Sequence, residues 1–94
     1  MSKVDVHFAI CKELKEMNER KNHDYGDSFK KNFDDFGMVY PIIHLAEKLD
    51  RLKTLTKADD QKVVGESVAD TLMDLANYAI MTLVERNIAN EVHD

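Results

Sequence analysis

The sequence predicts an all-α fold, because its helical periodicity is strong and it shows no convincing strand periodicity. Apolar residues recur at spacings of three and four through three long segments, as they do on one face of a helix. No segment clearly alternates apolar and polar residues in the manner of a half-buried strand. A polar, glycine-containing stretch separates the first two segments. We therefore expect a single domain over residues 1–94, a small antiparallel bundle of three main helices plus a short connecting helix.

The first main helix is expected from Val4 to about Arg20. Its apolar positions repeat with helical spacing at Val6, Ile10, Leu14 and Met17. Ser2 stands three residues before Asp5, a spacing that resembles a capping box and predicts the start of the helix. The stretch KNHDYG, Lys21–Gly26, is expected to break it, because Asn, Asp and Gly favour turns.

A short connecting helix is expected next, capped by Ser28, running through Phe36 and ended by Gly37. Pro41 then suits the first turn of the second main helix, since proline is tolerated where the helix has no partner for its N–H. This helix has the sequence PIIHLAEKLDRLKTLTK. One of its sides is apolar, formed by Ile42, Leu45, Leu49, Leu52 and Leu55.

The third main helix is expected to begin near Asp60, which can serve as its N-cap, and to continue to about Asn87. It carries Gly65 in its interior, where glycine costs about 1 kcal/mol relative to alanine and could permit close packing or a slight bend. Apolar residues fill most of its circumference, and we expect the side formed by positions 68, 72, 75 and 79 to be buried. A stripe of polar residues lies within roughly 80° of arc at about 100° per residue. Its members are Glu66, Asp70, Asp74 and Asn77.

Acids on a buried helix need compensation, because they repel one another and lose hydration. They must be protonated, paired with cations or bound to a metal. Glu47 and Asp50 form a second pair, three residues apart on the second helix, as Glu66 and Asp70 are four apart on the third. Antiparallel packing could bring the two pairs together as an oxygen cage for Mg²⁺, or Mn²⁺. For Glu47 and Asp50 taken alone, a solvated helix face is the simpler explanation.

The composition excludes several classes of function. The net charge of −5 argues against a nucleic-acid polymer as partner, since such a partner requires a basic surface. The single Cys11 excludes an intramolecular disulfide, and no apolar segment is long enough for a membrane span. These features predict a cytoplasmic protein without a membrane partner. A domain of 94 residues buries a limited fraction of its surface, so we expect a homodimer or homotetramer.

Three segments together resemble a known family. They are KNHDYGDSF after the first helix, EKLDR in the second helix and ESVADTLMDLANYAI in the third. They resemble the nucleotide modification associated domain 1 family, a branch of the MazG-like all-α nucleoside triphosphate pyrophosphatases. The resemblance covers the chain from about Lys21 to Val84. Its most specific parts are DTLMDLANYAI and the loop with Lys21 and DYG.

The resemblance implies a Mg²⁺ site in which Glu47 and Asp50 on one helix face Glu66 and Asp70 on the next. Asp50 departs from the family pattern, because it is one methylene shorter than the usual glutamate, so its contact with the metal could run through water. Asp74 is then a further candidate ligand or a hydrogen-bond acceptor behind the ligands. The implied reaction is attack of water on a nucleoside triphosphate, which releases the monophosphate and pyrophosphate. Glu47 is the candidate general base.

The resemblance also implies substrate-binding residues. The loop supplies Lys21, Asn22, Asp24 and Tyr25. The tyrosine ring could stack on a base, and Asn77 could bond to the base or the sugar. In isolation, an ordinary turn between helices explains the loop residues equally well.

Lys48 and Arg51 could contact phosphate oxygens, and Arg51 could do so through two parallel hydrogen bonds. Ion pairs with Glu47 and Asp50 are an equal alternative for both cations. Three functions therefore stay open. They are a nucleoside triphosphate pyrophosphatase, a protein that binds and sequesters a nucleotide without hydrolysing it, and a helical adaptor whose acids are structural.

Overall fold

All regular secondary structure in the described residues is α-helical. The computed structural model describes residues 1–25, 27–57 and 61–93, without the side chains of residues 23–25, 61–64 and 92–93. The helices are α1 (Lys3–Tyr25), α2 (Ser28–Phe36), α3 (Val39–Leu55) and α4 (Gln61–His93). The predicted all-α class is confirmed, with three long helices and a short one of nine residues. Over these same residues, no helix is long and apolar enough to cross a membrane.

Helix α1 begins as predicted but ends later. The backbone N–H of Ser2 donates to the Asp5 carboxylate at 3.2 Å, and that of Asp5 donates to the Ser2 hydroxyl at 3.1 Å, which forms the reciprocal capping box. The prediction of a break at Lys21 is wrong, because α1 continues to Tyr25. Polar residues weaken a helix by only a few tenths of a kcal/mol each. Within this extension, Lys21 contacts Asp74 on α4.

Helix α2 starts and ends at identifiable residues. Ser28 is its first residue rather than its cap, which corrects the prediction. Asp27 holds the N-cap position without a side-chain cap hydrogen bond. Gly37 ends the helix as predicted, with φ at +69°, a conformation that side-chain-bearing residues rarely adopt. Its N–H donates to the carbonyl of Phe33 at 2.8 Å.

Helices α3 and α4 form the main helix pair and run antiparallel. Residues later in α3 contact residues earlier in α4. The pairs are His44 with Tyr78, Lys48 with Asp74 and Arg51 with Thr71. Pro41 is fully buried in the first turn of α3. The predicted cap Asp60 lies outside the described residues, and α4 continues past the expected end at Asn87 to His93.

The apolar side of α4 is not its buried side, which corrects the sequence-based prediction. Leu72 is 50% exposed in the single chain, and Val68, Leu75 and Ala79 are only partly buried. Among the α4 residues with described side chains, the buried positions are instead polar: Thr71, Asn77 and Thr82. Their side chains can be buried because each makes a hydrogen bond. An added Cβ at Gly65 would meet no atom within 4 Å, so close packing does not explain this glycine in the single chain.

Candidate functional site

A pocket of about 300 Å³ lies where all four helices meet. Three aromatic side chains form one part of its wall, Phe29, Tyr40 and Tyr78. Three carboxamides form another part, Asn18, Asn22 and Asn77, and Lys21 stands among them. We call this the amide pocket. Its volume lies at the lower end of the range for small-molecule sites, and its aromatic walls with a few polar groups are typical of them.

The predicted substrate residues meet here in part. Lys21 and Asn22 from α1 and Asn77 from α4 line the same pocket. Asp24 and Tyr25 belong to the last turn of α1, but their side chains lie outside the described residues. Three of the seven predicted substrate residues therefore line one pocket, although helices α2 and α3 lie between Asn22 and Asn77 along the chain.

Asn77 is the most deeply buried polar group of the pocket wall, with 3% exposure. Its amide nitrogen donates to the thioether sulfur of Met81 at 3.3 Å. A thioether is a weak acceptor, so this bond satisfies the amide poorly. The amide group thus lies in the pocket wall with its nitrogen bonded to a weak acceptor.

An aromatic cluster supports the pocket from the α3 side. The rings of His44 and Tyr78 stack with centroids 4.5 Å apart, and Tyr40 meets His44 edge to face at 4.7 Å. Tyr40 also meets Phe29 at 5.4 Å. Burial, and to a smaller extent Tyr40 and the acids Asp74 and Glu47, raise the pKa of Tyr78. Its hydroxyl therefore stays protonated and can donate a hydrogen bond.

Sequence analysis did not single out these aromatic residues. The available signal was their spacing, since Phe29 with Phe33 and Tyr40 with His44 are each four residues apart and share a helix face. That spacing is equally typical of an ordinary core, so it does not identify a site.

Lys21 and Lys48 both contact Asp74. The ammonium of Lys21 lies 3.3 Å from Asp74 Oδ1, and that of Lys48 lies 3.6 Å from Asp74 Oδ2. The three side chains are 46%, 26% and 32% exposed, respectively. Pairing with cations is thus the compensation found for this acid. The partner of Lys48 is Asp74 across the helix pair, rather than the Glu47 or Asp50 considered as alternatives.

Arg51 is held by a residue that sequence analysis missed. Its Nε donates to the hydroxyl of Thr71 at 3.3 Å, and this hydroxyl donates to the carbonyl of Ser67 at 2.6 Å. Thr71 is 2% exposed. Arg51 therefore contacts α4 about one turn beyond the Lys48–Asp74 contact.

The other predicted acids are exposed. The Glu47 side chain is 65% exposed, with its carboxylate 4.0 Å from His44 Nδ1, and Asp50, Glu66 and Asp70 are exposed as well. The expectation that Asp70 is a buried acid is wrong, because it lines an open recess between α1 and α4. Among the residues with described side chains, no three acid, imidazole or thiol groups come together to hold a metal ion.

The comparisons with known proteins identify a family. The family described as nucleotide modification associated domain 1 matches residues 21–85, more than two thirds of the chain. This range contains the basic residues Lys21, Lys48 and Arg51 and all five acids predicted to bind a metal. It also contains every residue that lines the amide pocket except Asn18. No curated protein and no solved structure matches the chain.

Proposed function

Because the chain belongs to the nucleotide modification associated domain 1 family, we propose that it is a MazG-like nucleoside triphosphate pyrophosphohydrolase. It converts a nucleoside triphosphate to the monophosphate and pyrophosphate, in nucleotide-pool housekeeping or nucleotide modification. The free Cys11 is compatible with the reducing cytoplasm where such nucleotides are found.

One observation carries this proposal: three groups of side chains follow one another along the α3–α4 pair in an order that suits a nucleotide. The amide pocket lies at the level of Tyr78, the two lysines lie at Asp74, and Arg51 lies at Thr71. Tyr78 and Thr71 are seven residues apart, which is about 10 Å along a helix. An aromatic pocket is thus followed by three cations.

The amide pocket is the proposed site of the base and sugar. Its aromatic rings offer apolar faces to a flat heterocycle, and its carboxamides can both donate and accept hydrogen bonds. Asn77 is the proposed base contact, because its buried amide has only the Met81 sulfur as a described partner. Lys21 lines this pocket and also pairs with Asp74, so it joins the base site to the phosphate site.

The proposed cofactor is Mg²⁺, or Mn²⁺, held by Glu47, Asp50, Glu66 and Asp70 with Asp74 as a further acceptor. Bound to the phosphates, it would neutralise their charge. The carboxylates do not fit a preassembled metal site in the single chain, since those described do not cluster and Asp74 already holds two lysines.

The chain's own residues have distinct roles in the proposed reaction. Lys48 and Arg51 hold the phosphates, and Arg51 also donates a hydrogen bond to Thr71. Glu47 accepts a proton from the water that attacks the α-phosphorus. The bond from this phosphorus to the bridging oxygen breaks, and pyrophosphate leaves with the electron pair. Exposure of the Glu47 side chain leaves room for water beside it.

The test is an assay of canonical and modified nucleoside triphosphates with Mg²⁺ that distinguishes pyrophosphate from phosphate. We expect pyrophosphate and the monophosphate from at least one of them. Asp70→Asn should lower turnover by at least tenfold, and should leave stability within about 0.5 kcal/mol because Asp70 is exposed. Glu91→Gln, an exposed acid of α4 outside the family match, is the control. Full turnover in Asp70→Asn would remove this residue from the site.

Metal binding has a separate test. Millimolar Mg²⁺ or Mn²⁺ should raise the melting temperature of the wild type, because an ion bound only to the folded chain stabilises it by mass action. The rise should be smaller in Asp70→Asn than in Glu91→Gln. An unchanged melting temperature for the wild type would contradict the proposed metal site.

Nucleotide sequestration is the second candidate function. It is favoured by the contrast between a formed pocket and acids that do not cluster among the described side chains. This function predicts tight binding of a nucleotide without pyrophosphate release in the same assay. The third candidate, an adaptor, predicts neither binding nor release.

We also propose that the chain is a homodimer or homotetramer. Several large apolar residues of α3 and α4 are about half exposed in the single chain, which is unfavourable in water. They are Ile42, Leu49, Leu72 and Leu83. Sedimentation at micromolar concentration should show an oligomer that Leu72→Glu weakens and that Lys12→Glu, an exposed residue of α1, does not. A monomeric wild type would contradict the proposal.

A further inference from the structure

The contact of two lysines with one carboxylate is the feature that the proposed function leaves unexplained. Lys21 comes from α1 and Lys48 from α3, and they approach opposite oxygens of Asp74 at 3.3 and 3.6 Å. Two ammonium groups held this close repel each other, and one carboxylate neutralises only one of the two charges. The cluster therefore has a net positive charge although the whole chain carries −5.

The charged residues around Lys21 and Lys48 decide on which side of the two lysines an anion would bind. Beyond Lys21, the recess between α1 and α4 is lined by Glu13, Glu16 and Asp70, which repel an anion despite the presence of Arg20. On the other side lies Arg51, one turn further along α3. A chain of phosphates is thus attracted along α3, starting from the lysine that lines the amide pocket.

We propose that Lys21 and Lys48 form a binding site for the polyphosphate chain of a nucleotide, and that Asp74 occupies this site as an internal counter-ion until phosphate displaces it. This inference rests on the proposed nucleotide site but not on hydrolysis. In this inference Asp74 is a competitor of the substrate phosphates for the two lysines, rather than a metal ligand. All three side chains are partly exposed, so phosphate can reach the ammonium groups without opening the core.

The two roles of Asp74 predict different effects of the same substitution. If Asp74 competes with phosphate, Asp74→Asn frees the two lysines and binding of a polyphosphate becomes tighter. If Asp74 is a metal ligand, the substitution leaves metal-free binding unchanged and weakens binding in the presence of Mg²⁺. Without metal, tighter binding of the polyphosphate therefore indicates a competing Asp74, and unchanged binding indicates a metal ligand.

The experiment measures binding of inorganic tripolyphosphate to the full chain by calorimetry, in EDTA and at low ionic strength, where exposed charges are least screened. We expect Asp74→Asn to bind about three- to tenfold more tightly than the wild type, since two partly exposed ion pairs no longer compete. Glu91→Gln controls for the general effect of removing one negative charge and should change binding less than twofold. Lys21→Met and Lys48→Met should each weaken binding at least threefold.

A double substitution tests the mechanism itself. Asp74→Asn should give no gain in a chain that already carries Lys21→Met and Lys48→Met, because no lysines are left to free. Equal or weaker binding by Asp74→Asn in the wild-type background would overturn the inference. If Asp74→Asn does not fold, the single lysine variants decide, since purely structural ion pairs predict unchanged tripolyphosphate affinity for both. Correct signs here together with no hydrolysis of any nucleoside triphosphate would refute the proposed enzyme and leave this site intact.

Discussion

Replacing Asn77 by leucine separates the stability of the fold from the function of the amide pocket. Asn77 is 3% exposed, and its amide donates to the sulfur of Met81 at 3.3 Å. Burying an unsatisfied amide costs about 1–3 kcal/mol, and a bond to a weak acceptor offsets only part of this cost. Leucine is similar in size and removes this cost. We therefore expect Asn77→Leu to leave the free energy of unfolding unchanged or to raise it by up to about 2 kcal/mol.

Binding should change in the opposite direction. A nucleotide base that loses its partner is left with an unpaired polar group, which costs about 1–3 kcal/mol and weakens affinity roughly 5- to 150-fold. The measurements are urea unfolding followed by circular dichroism, and calorimetric titration with the nucleoside triphosphate that the wild type binds best. Few buried substitutions combine unchanged stability with lost binding, so the pair of results is diagnostic of a site residue.

Thr82→Val is the matched control. Thr82 is also a buried polar residue of α4, with 8% exposure, but its hydroxyl donates to the carbonyl of Tyr78 at 2.7 Å and it does not line the amide pocket. Its replacement should leave nucleotide affinity unchanged. If Asn77→Leu lost more than about 1 kcal/mol of stability and still bound the nucleotide normally, Asn77 would be a structural residue and the assignment of the base site would be wrong.

Three further predictions concern the fold. Phe29→Ala should cost about 3–5 kcal/mol in urea unfolding, because the ring is 7% exposed and contacts three other aromatic rings; a cost below about 1 kcal/mol would show that the cluster is not core. Ser2→Ala should remove the capping box and speed hydrogen exchange at Asp5 without changing the melting temperature, since the first turns of α1 are exposed; a clear drop in melting temperature would contradict this. Burial raises the pKa of Tyr78 in the folded chain above the value of about 10 for an unfolded tyrosine. The stability that the protonated Tyr78 contributes is therefore fully present below pH 10, and it is lost as pH rises through the higher pKa of the folded chain. Tyr78→Phe should therefore reduce the loss of stability above pH 10 in a series of melts, and an identical slope in both proteins would contradict the burial of this hydroxyl.

The helices were predictable because each depends on residues close together in the sequence. The capping box of Ser2 and Asp5 and the stop at Gly37 follow from local chemistry, and both are found as expected. The extension of α1 through Tyr25 was not predictable in this way. Residues 21–25 have a turn-like composition, yet they are helical, and Lys21 among them makes a long-range contact with Asp74.

The candidate site was predictable in residue type and only partly in arrangement. The polar stripe on α4 correctly marked Asn77 and Asp74 as unusual, and Lys21 and Lys48 were identified as possible contacts of a nucleotide. The compensation of Asp74 was left open among protonation, cations and metal, and the structure shows cations. The burial of α4 was predicted on the wrong side, because the helix is apolar over most of its circumference and periodicity cannot choose among apolar faces.

The sequence by itself determined the all-α class, the approximate helices and the residue types able to contact a nucleotide, since these depend on spacings of three and four and on local capping. The tertiary structure alone decided which groups meet. Lys21 and Asp74 are 53 positions apart, and their contact depends on how α1 lies against α4. The amide pocket likewise exists only where all four helices converge. Such long-range convergence leaves no periodic signal in a single sequence, because packing between helices, rather than spacing within one, brings the side chains together.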